Sequence, residues 1–384
     1  MFSLFHRRKG GAAELGATAP GERGPFGVFP GVGREDVEEN GGSRGRVMLP
    51  EGRTSTSAAQ EGPMSSRGDM NFPVIINGLD YLHSSVSSLV DEPEGRALKY
   101  AVLHLQFAAE TLFKARLEQH DPALVWVKPA QFDERRHRQG DFKSVGTKDA
   151  LERLRDEVKV ANPIAPDHAA LKALVGLRNR LTHFGATDTA VAVEARAIPV
   201  LDLLLTFIDE ELLPHDDSDV AAEAWELMES IRPLVGRIRG LVDHRLGPLG
   251  EKLGPSSDRT LRCLSCGHFA ALVTGGGERP VGCLLCGKAY DDIPDTVEAY
   301  GVGSFYEAIT QGGEPPAYEC AECFTGQACV VPVPTADDPN GQVLTCLWGA
   351  HSVEGVCDDC QRAADFALDI GMCSNCTDAA YARF

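Results

Sequence analysis

Through most of residues 71–248, apolar positions recur at steps of three and four, the period of an amphipathic helix. Ile75, Leu79, Leu82, Val86 and Leu89 mark one stripe; Leu98, Ala101, Val102, Leu105, Ala108, Ala109 and Leu112 mark a wider one. Glu110 and Lys114 sit one turn apart on its flank, the spacing of a helical ion pair. His104 lies beside this stripe and reads as a satisfied, partly buried histidine. A loop with Pro129 and Gly140 follows and carries the basic run Arg135, Arg136, His137, Arg138, and a short helix is predicted over 147–159. Pro163 and Pro166 break the chain, and Asp167 stands where it can cap the next helix. That helix carries Leu171, Leu174, Leu177, Leu181 and Phe184, and Gly185 suits its stop. Two longer helices are predicted at about 189–213 and 218–245, separated by Pro214, with Pro199 kinking the first. Trp225, Met228, Ile231 and Leu234 read as the core face of the second. No strand-like alternation interrupts the region, which predicts an all-α bundle of five or six helices.

From about residue 258 the texture changes. Gly, Cys and short β-branched runs such as 270–274 and 329–333 replace the long stripes, the look of small β-hairpin modules stapled by metal. Cys263-x-x-Cys266 is followed after sixteen residues by Cys283-x-x-Cys286, and Gly267 and Gly287 directly follow the second cysteine of each pair. Two residues between thiolates let both reach one tetrahedral ion from a tight turn. A glycine next permits the left-handed backbone that turns amide N–H groups toward sulfur. Cys357-x-x-Cys360 and Cys373-x-x-Cys376, twelve residues apart, make a second full set. Cys320-x-x-Cys323 and Cys346 begin a third, but the chain there reads Cys346-Leu-Trp-Gly349 and one ligand is missing. Cys329 or His351 could supply it, or the hairpin is metal-free. Four thiolates close a coordination sphere and leave no place for a reactive water, so the zinc ions expected here are structural. The segments 258–290, 316–352 (degenerate) and 353–384 resemble zinc ribbons. The bland alternative is unliganded buried cysteines.

Charge separates these regions further. The 384 residues carry a net −19, of which 261–384 holds 5 basic and 17 acidic residues, a net of −12. Phosphate contacts need Lys and Arg, so the ribbons are a poor nucleic-acid surface and a better one for a protein partner. No run approaches the roughly 18 apolar residues of a membrane span. Arg7 and Arg8 are followed by no apolar stretch, so no secretory signal is expected. That places the protein in the reducing cytoplasm, where cysteines serve as metal ligands rather than disulfides. Residues 1–70 hold 14 Gly and 5 Pro with no lasting periodicity. They are expected to be disordered, with a true start at Met64 or Met70 as one explanation.

The helix ending at Gly185 contains Arg178-Asn179-Arg180-Leu181-Thr182-His183. This resembles the R-N-x-x-x-H motif of HEPN domains, an all-α family that includes many metal-independent ribonucleases. The apolar pattern from Leu98 to Leu117, with Glu110 and Lys114, is similar to the helix that packs beside the motif in that family. The likeness covers roughly 71–248. It implies a dimer whose two motifs face one cleft. His183 would assist proton transfer at the RNA 2′-OH or leaving oxygen, Arg178 would stabilise phosphate charge, and Asn179 would orient the phosphate, leaving a 2′,3′-cyclic phosphate. Arg135, Arg136, Arg138 and Arg180 are the candidate contacts to the RNA backbone. A toxin or phage-defence role is implied by the same resemblance. HEPN domains also occur as non-cleaving binding or dimerisation modules. Arg and His near a helix C-terminus can also serve only the last carbonyls and the dipole.

Overall fold

The structure, a computed structural model, describes residues 70–301, 303–366 and 370–383. The expectations for the first 69 residues lie outside them. Helix α1 (Val74–Ser87) lies along α2 (Gly95–His120), and the two predicted stripes face each other, every named position being buried. The Glu110–Lys114 pair forms at 2.7 Å, and His104 accepts or donates at Ser84 Oγ, 2.8 Å away. Helix α2 is the hub of the bundle and touches α1, α4 (Thr147–Arg153), α5 (Ala169–His183) and α6 (Ala190–Phe207). Helix α7 (Ala221–Val235) covers α1, and α8 (Arg239–Leu253) covers α6.

Between α2 and α4, residues 121–146 fold into an aromatic flap rather than an open loop. The basic run forms a short helix, α3 (Glu134–Arg138), because the Asp133 carboxylate accepts from the Arg136 N–H. His137 turns inward. The Trp126 indole N–H donates to its Nδ1 at 3.0 Å, so Nε2 carries the proton and donates to Glu118 at 2.9 Å. Phe142 stacks flat on Trp126, 4.7 Å between centroids.

Further sequence expectations are corrected, beginning with the helix number: the bundle has eight α-helices among the described residues where five or six were expected. The region 218–245 is two helices, broken at Gly236, where the first cysteine module is seated. A Cβ there would overlap the carbonyl and Cβ of Cys266. Trp225 is 38% exposed and points away from the core that Met228 and Ile231 enter. The start of α5 is not capped by Asp167: His168 holds the cap position without a side-chain bond, and Asp167 pairs instead with Lys172.

Beyond α8 the chain builds small antiparallel sheets. Strands β1 (Thr260–Arg262), β2 (Phe269–Val273) and β3 (Val281–Cys283) form a meander. Helices α9 (Ile293–Tyr300) and α10 (Phe305–Gln311) lead to a second meander of β4 (Tyr318–Glu319), β5 (Ala328–Val333), β6 (Val343–Cys346) and β7 (His351–Val353). Strands β8 (Gly355–Val356) and β9 (Ala363–Ala364) and helix α11 (Ser374–Tyr381) end it. The last module is thus not a pure hairpin, because Cys373 caps α11 and Cys376 lies in its first turn. The bundle and the first two sheets share one continuous apolar core, whereas Ala321, Cys357, Ala364 and Cys373 form a separate small one. No helix among the described residues is long and apolar enough to cross a membrane.

Candidate functional site

One local device recurs five times in the C-terminal region. In each case a cysteine carbonyl accepts from the amide four residues on: Gly267 to Cys263, Gly287 to Cys283, Phe324 to Cys320, Ala350 to Cys346 and Gln361 to Cys357. Each of those fifth residues has positive φ, from +79° at Gly267 and +75° at Gly287 to +49° at Phe324, +54° at Ala350 and +57° at Gln361. The turn, not the residue type, sets this conformation, and glycine merely relieves its strain. Within the turn, amides point at sulfur: Gly349 N–H to Cys346 Sγ at 3.2 Å, Cys286 N–H to Cys283 Sγ at 3.5 Å.

These knuckles bring eleven cysteines and one histidine into three sets: Cys263, Cys266, Cys283, Cys286; Cys320, Cys323, Cys346, His351; and Cys357, Cys360, Cys373, Cys376. In each set the ligand atoms lie within 4.8 Å of one another. Two thiolates on one tetrahedral ion, with metal–sulfur bonds of about 2.3 Å, stand about 3.8 Å apart. The sulfur separations match. Cys263–Cys286, Cys266–Cys283 and Cys323–Cys346 are 3.7 Å apart, and Cys360–Cys373 are 3.8 Å. None approaches the roughly 2 Å of a disulfide. Each set can therefore hold a metal ion with a closed four-ligand shell. In the middle set, hydrogen bonding from Cys346 draws the Cys320 thiol down to about 4.

The missing ligand of the middle set has a geometric answer. Residues 346–350 adopt the same knuckle as the others, and Gly349 occupies the place of its second cysteine. A Cβ on Gly349 would overlap the His351 ring and crowd Cys323 Sγ at 2.9 Å. The space that a fourth thiol would need is filled by imidazole from β7.

The first centre is built into the helical body. Arg232 of α7, only 2% exposed, donates to the Cys286 carbonyl and grips Asp209 at 2.8 Å. Arg245 of α8 donates to the Leu285 carbonyl and to Asp202. Gly287 packs against the Asp209–Arg232 pair so closely that a Cβ would overlap the carboxylate. On the other knuckle, His268 Nε2 donates to the Gly236 carbonyl at 2.9 Å. Sequence reading missed this seat. The available signal was Arg232 itself, a charge four residues after Met228 on an apolar helix face, where an unpaired charge is costly.

The polar motif lies at the C-terminal end of α5. Asn179 and His183 are exposed one turn apart and Arg178 is half-buried, with an Nε that has no partner. Among the described residues, neither Asn179 nor His183 makes a side-chain hydrogen bond. Capping is done by others: the Thr182 hydroxyl donates to the Arg178 carbonyl, and the Phe184 and Gly185 amides donate to that of Arg180. Phe184, expected on the core stripe, is instead 95% exposed, because Gly185 (φ +130°) turns the chain away at that point. Arg180 is engaged by Asp188, which also pairs with Arg196, and so ties the end of α5 to α6. The basic run is largely neutralised. Arg136 pairs with Asp141 and lies over Trp126, and Arg138 pairs with Glu134. Arg135 is exposed, with no ion pair among the described residues.

No family model, no curated protein and no solved structure matches the chain.

Proposed function

We propose that the protein is a HEPN-type, metal-independent endoribonuclease that works in the cytoplasm as a homodimer, with three structural zinc centres. The observation that carries the reading is the polar end of α5. Asn179 and His183 stand free on an exposed face, while Thr182 and the turn at Gly185 already serve the helix end. Helix capping therefore does not account for these residues. The same face carries Ala173 and Gly176, exposed and small, which leave room for a second copy to approach.

In this reading, the 2′-OH of RNA attacks the adjacent phosphorus and the 5′-oxygen leaves, giving a 2′,3′-cyclic phosphate. His183 transfers the proton as general acid or base. Arg178, with an unused Nε, binds the phosphate oxygens, and Asn179 orients the phosphate. Arg178 and His183 are five residues apart, about 140° around a helix, so the complete site needs both protomers. Arg135 is the best placed of the basic run to touch RNA backbone. Arg136, Arg138 and Arg180 would contact it only by leaving their acidic partners. With a net charge of −19, RNA attraction rests on local cations or on a basic partner. A toxin or phage-defence role fits such an activity.

Zinc is the metal assigned to the three centres. Thiolate and imidazole ligands at tetrahedral separations suit it, and closed shells give it a structural rather than a catalytic part. A second reading, a non-catalytic adaptor, is favoured by α10, which buries no residue and exposes Phe305, Tyr306 and Ile309 on an acidic module.

The deciding experiment is RNA cleavage by the purified full chain during a brief exposure to EDTA, beside His183→Ala. Cleavage ending in cyclic phosphate and falling by roughly 10²–10⁴-fold in the variant is expected. Because His183 is exposed, the variant keeps its thermal midpoint. Intact folded dimer that cleaves no tRNA, ribosomal RNA or mRNA rejects the nuclease and leaves the adaptor.

A further inference from the structure

Of the twelve cysteines, Cys329 alone belongs to none of the three ligand sets. It is not a stray core residue. Its side chain is 0% exposed, and its Sγ lies 3.9 Å from Cys346 Sγ, close to the edge of a thiolate tetrahedron. The Thr325 hydroxyl donates to it at 3.8 Å.

The backbone around it is fixed. Strand β5 is central, laddered to β4 on one side and β6 on the other, and the Leu347 amide donates to the Cys329 carbonyl at 2.8 Å. His351 is held quite differently. It sits on β7, the edge strand of the sheet, and its side chain is 30% exposed. Its Nε2 is 3.9 Å from Cys320 Sγ and 3.3 Å from the Glu322 carboxylate, so a second partner stands ready for the ring. The middle centre thus has a partly exposed ligand on an edge strand and a buried thiol on a central strand beside it.

We propose that the middle centre has a second coordination state, in which Cys329 replaces His351 on a soft divalent cation and converts a three-thiolate, one-imidazole site into a four-thiolate site. The inference rests on the reading of the centre as a zinc site. The exchange is balanced: the Cys329 sulfur forms the new bond to the cation, the bond to the imidazole breaks, and the thiol proton passes to the released ring beside Glu322. Thiolate-rich shells favour softer ions, so the exchange gives this centre a way to retain a cation when its exposed ligand is lost. The first and third centres have no such fifth donor among their sets.

The test is zinc stoichiometry of the full chain, with cadmium-113 NMR as a count of thiolates per site. Wild type is expected to hold three ions, and so is Cys329→Ser, which also shows that the variant folds. His351→Ala still holds three, and all of its cadmium resonances fall in the four-thiolate range. The double variant His351→Ala/Cys329→Ser holds two. Loss of the third ion in His351→Ala or in Cys329→Ser alone overturns the exchange, as does its retention in the double variant. A wild-type chain with fewer than three ions refutes the zinc reading of the centre itself, a separate outcome.

Discussion

Arg232 on α7 donates to the backbone carbonyl of Cys286, a ligand of the first metal centre. One buried guanidinium therefore joins the helical bundle to the knuckle, with Asp209 as its counter-charge. Removing it leaves the buried Cys286 carbonyl without its donor and the partly exposed Asp209 carboxylate without its partner. We expect Arg232→Met to cost about 3 kcal/mol or more, since breaking a buried pair leaves the other charge uncompensated. Urea unfolding followed by helical circular dichroism measures it, and a loss under about 1 kcal/mol would show that the knuckle is merely adjacent.

Gly267 and Gly287 have the same left-handed backbone but different surroundings. Space around Gly267 is open, whereas a side chain on Gly287 meets Asp209 and Arg232. Gly267→Ala should cost about 1 kcal/mol of backbone strain. Gly287→Ala should cost clearly more, because it also pushes the knuckle off the bundle. Equal midpoint shifts in the two variants would remove the docking component.

Metal loss should reach the helices from the first centre and not from the third. Gly236 receives Cys266 at the end of α7, while the third centre has its own small core. In hydrogen exchange, Cys283→Ser is expected to deprotect the α7 amides, and Cys376→Ser to leave them as in wild type. Equal protection of α7 in both variants would mean that the bundle stands without its metal clamp.

Phe324 holds a left-handed knuckle position, φ +49°, with an exposed ring. Glycine occupies that position in both knuckles of the first centre. Phe324→Gly should therefore stabilise the middle module by up to about 1 kcal/mol, less what the ring gains from Arg362 lying 5.9 Å from its centroid. The thermal midpoint of metal-loaded protein reports the sign.

The apolar stripes of α1 and α2 and the paired cysteines were legible in the sequence, because periodicity and short spacing are local properties. The knuckle conformation was legible at Gly267 and Gly287 but not at Phe324, Ala350 or Gln361. There, hydrogen bonding imposes a backbone that the residue type does not advertise. His351 could not be separated from Cys329 by spacing, since both lie within reach of the middle centre. The choice fell to Gly349, whose missing side chain leaves room for one imidazole. The break at Gly236, the inward turn of His137 and the outward turns of Trp225 and Phe184 were likewise decided by what packs against each. Sequence by itself determined the long helical stripes of the bundle and the Cys-x-x-Cys pairs that can share an ion. Only tertiary structure decided that the first centre is clamped into the bundle. That union depends on Arg232, with Asp209 as its counter-charge, and on Arg245 meeting carbonyls forty or more residues away, a proximity that no local pattern encodes.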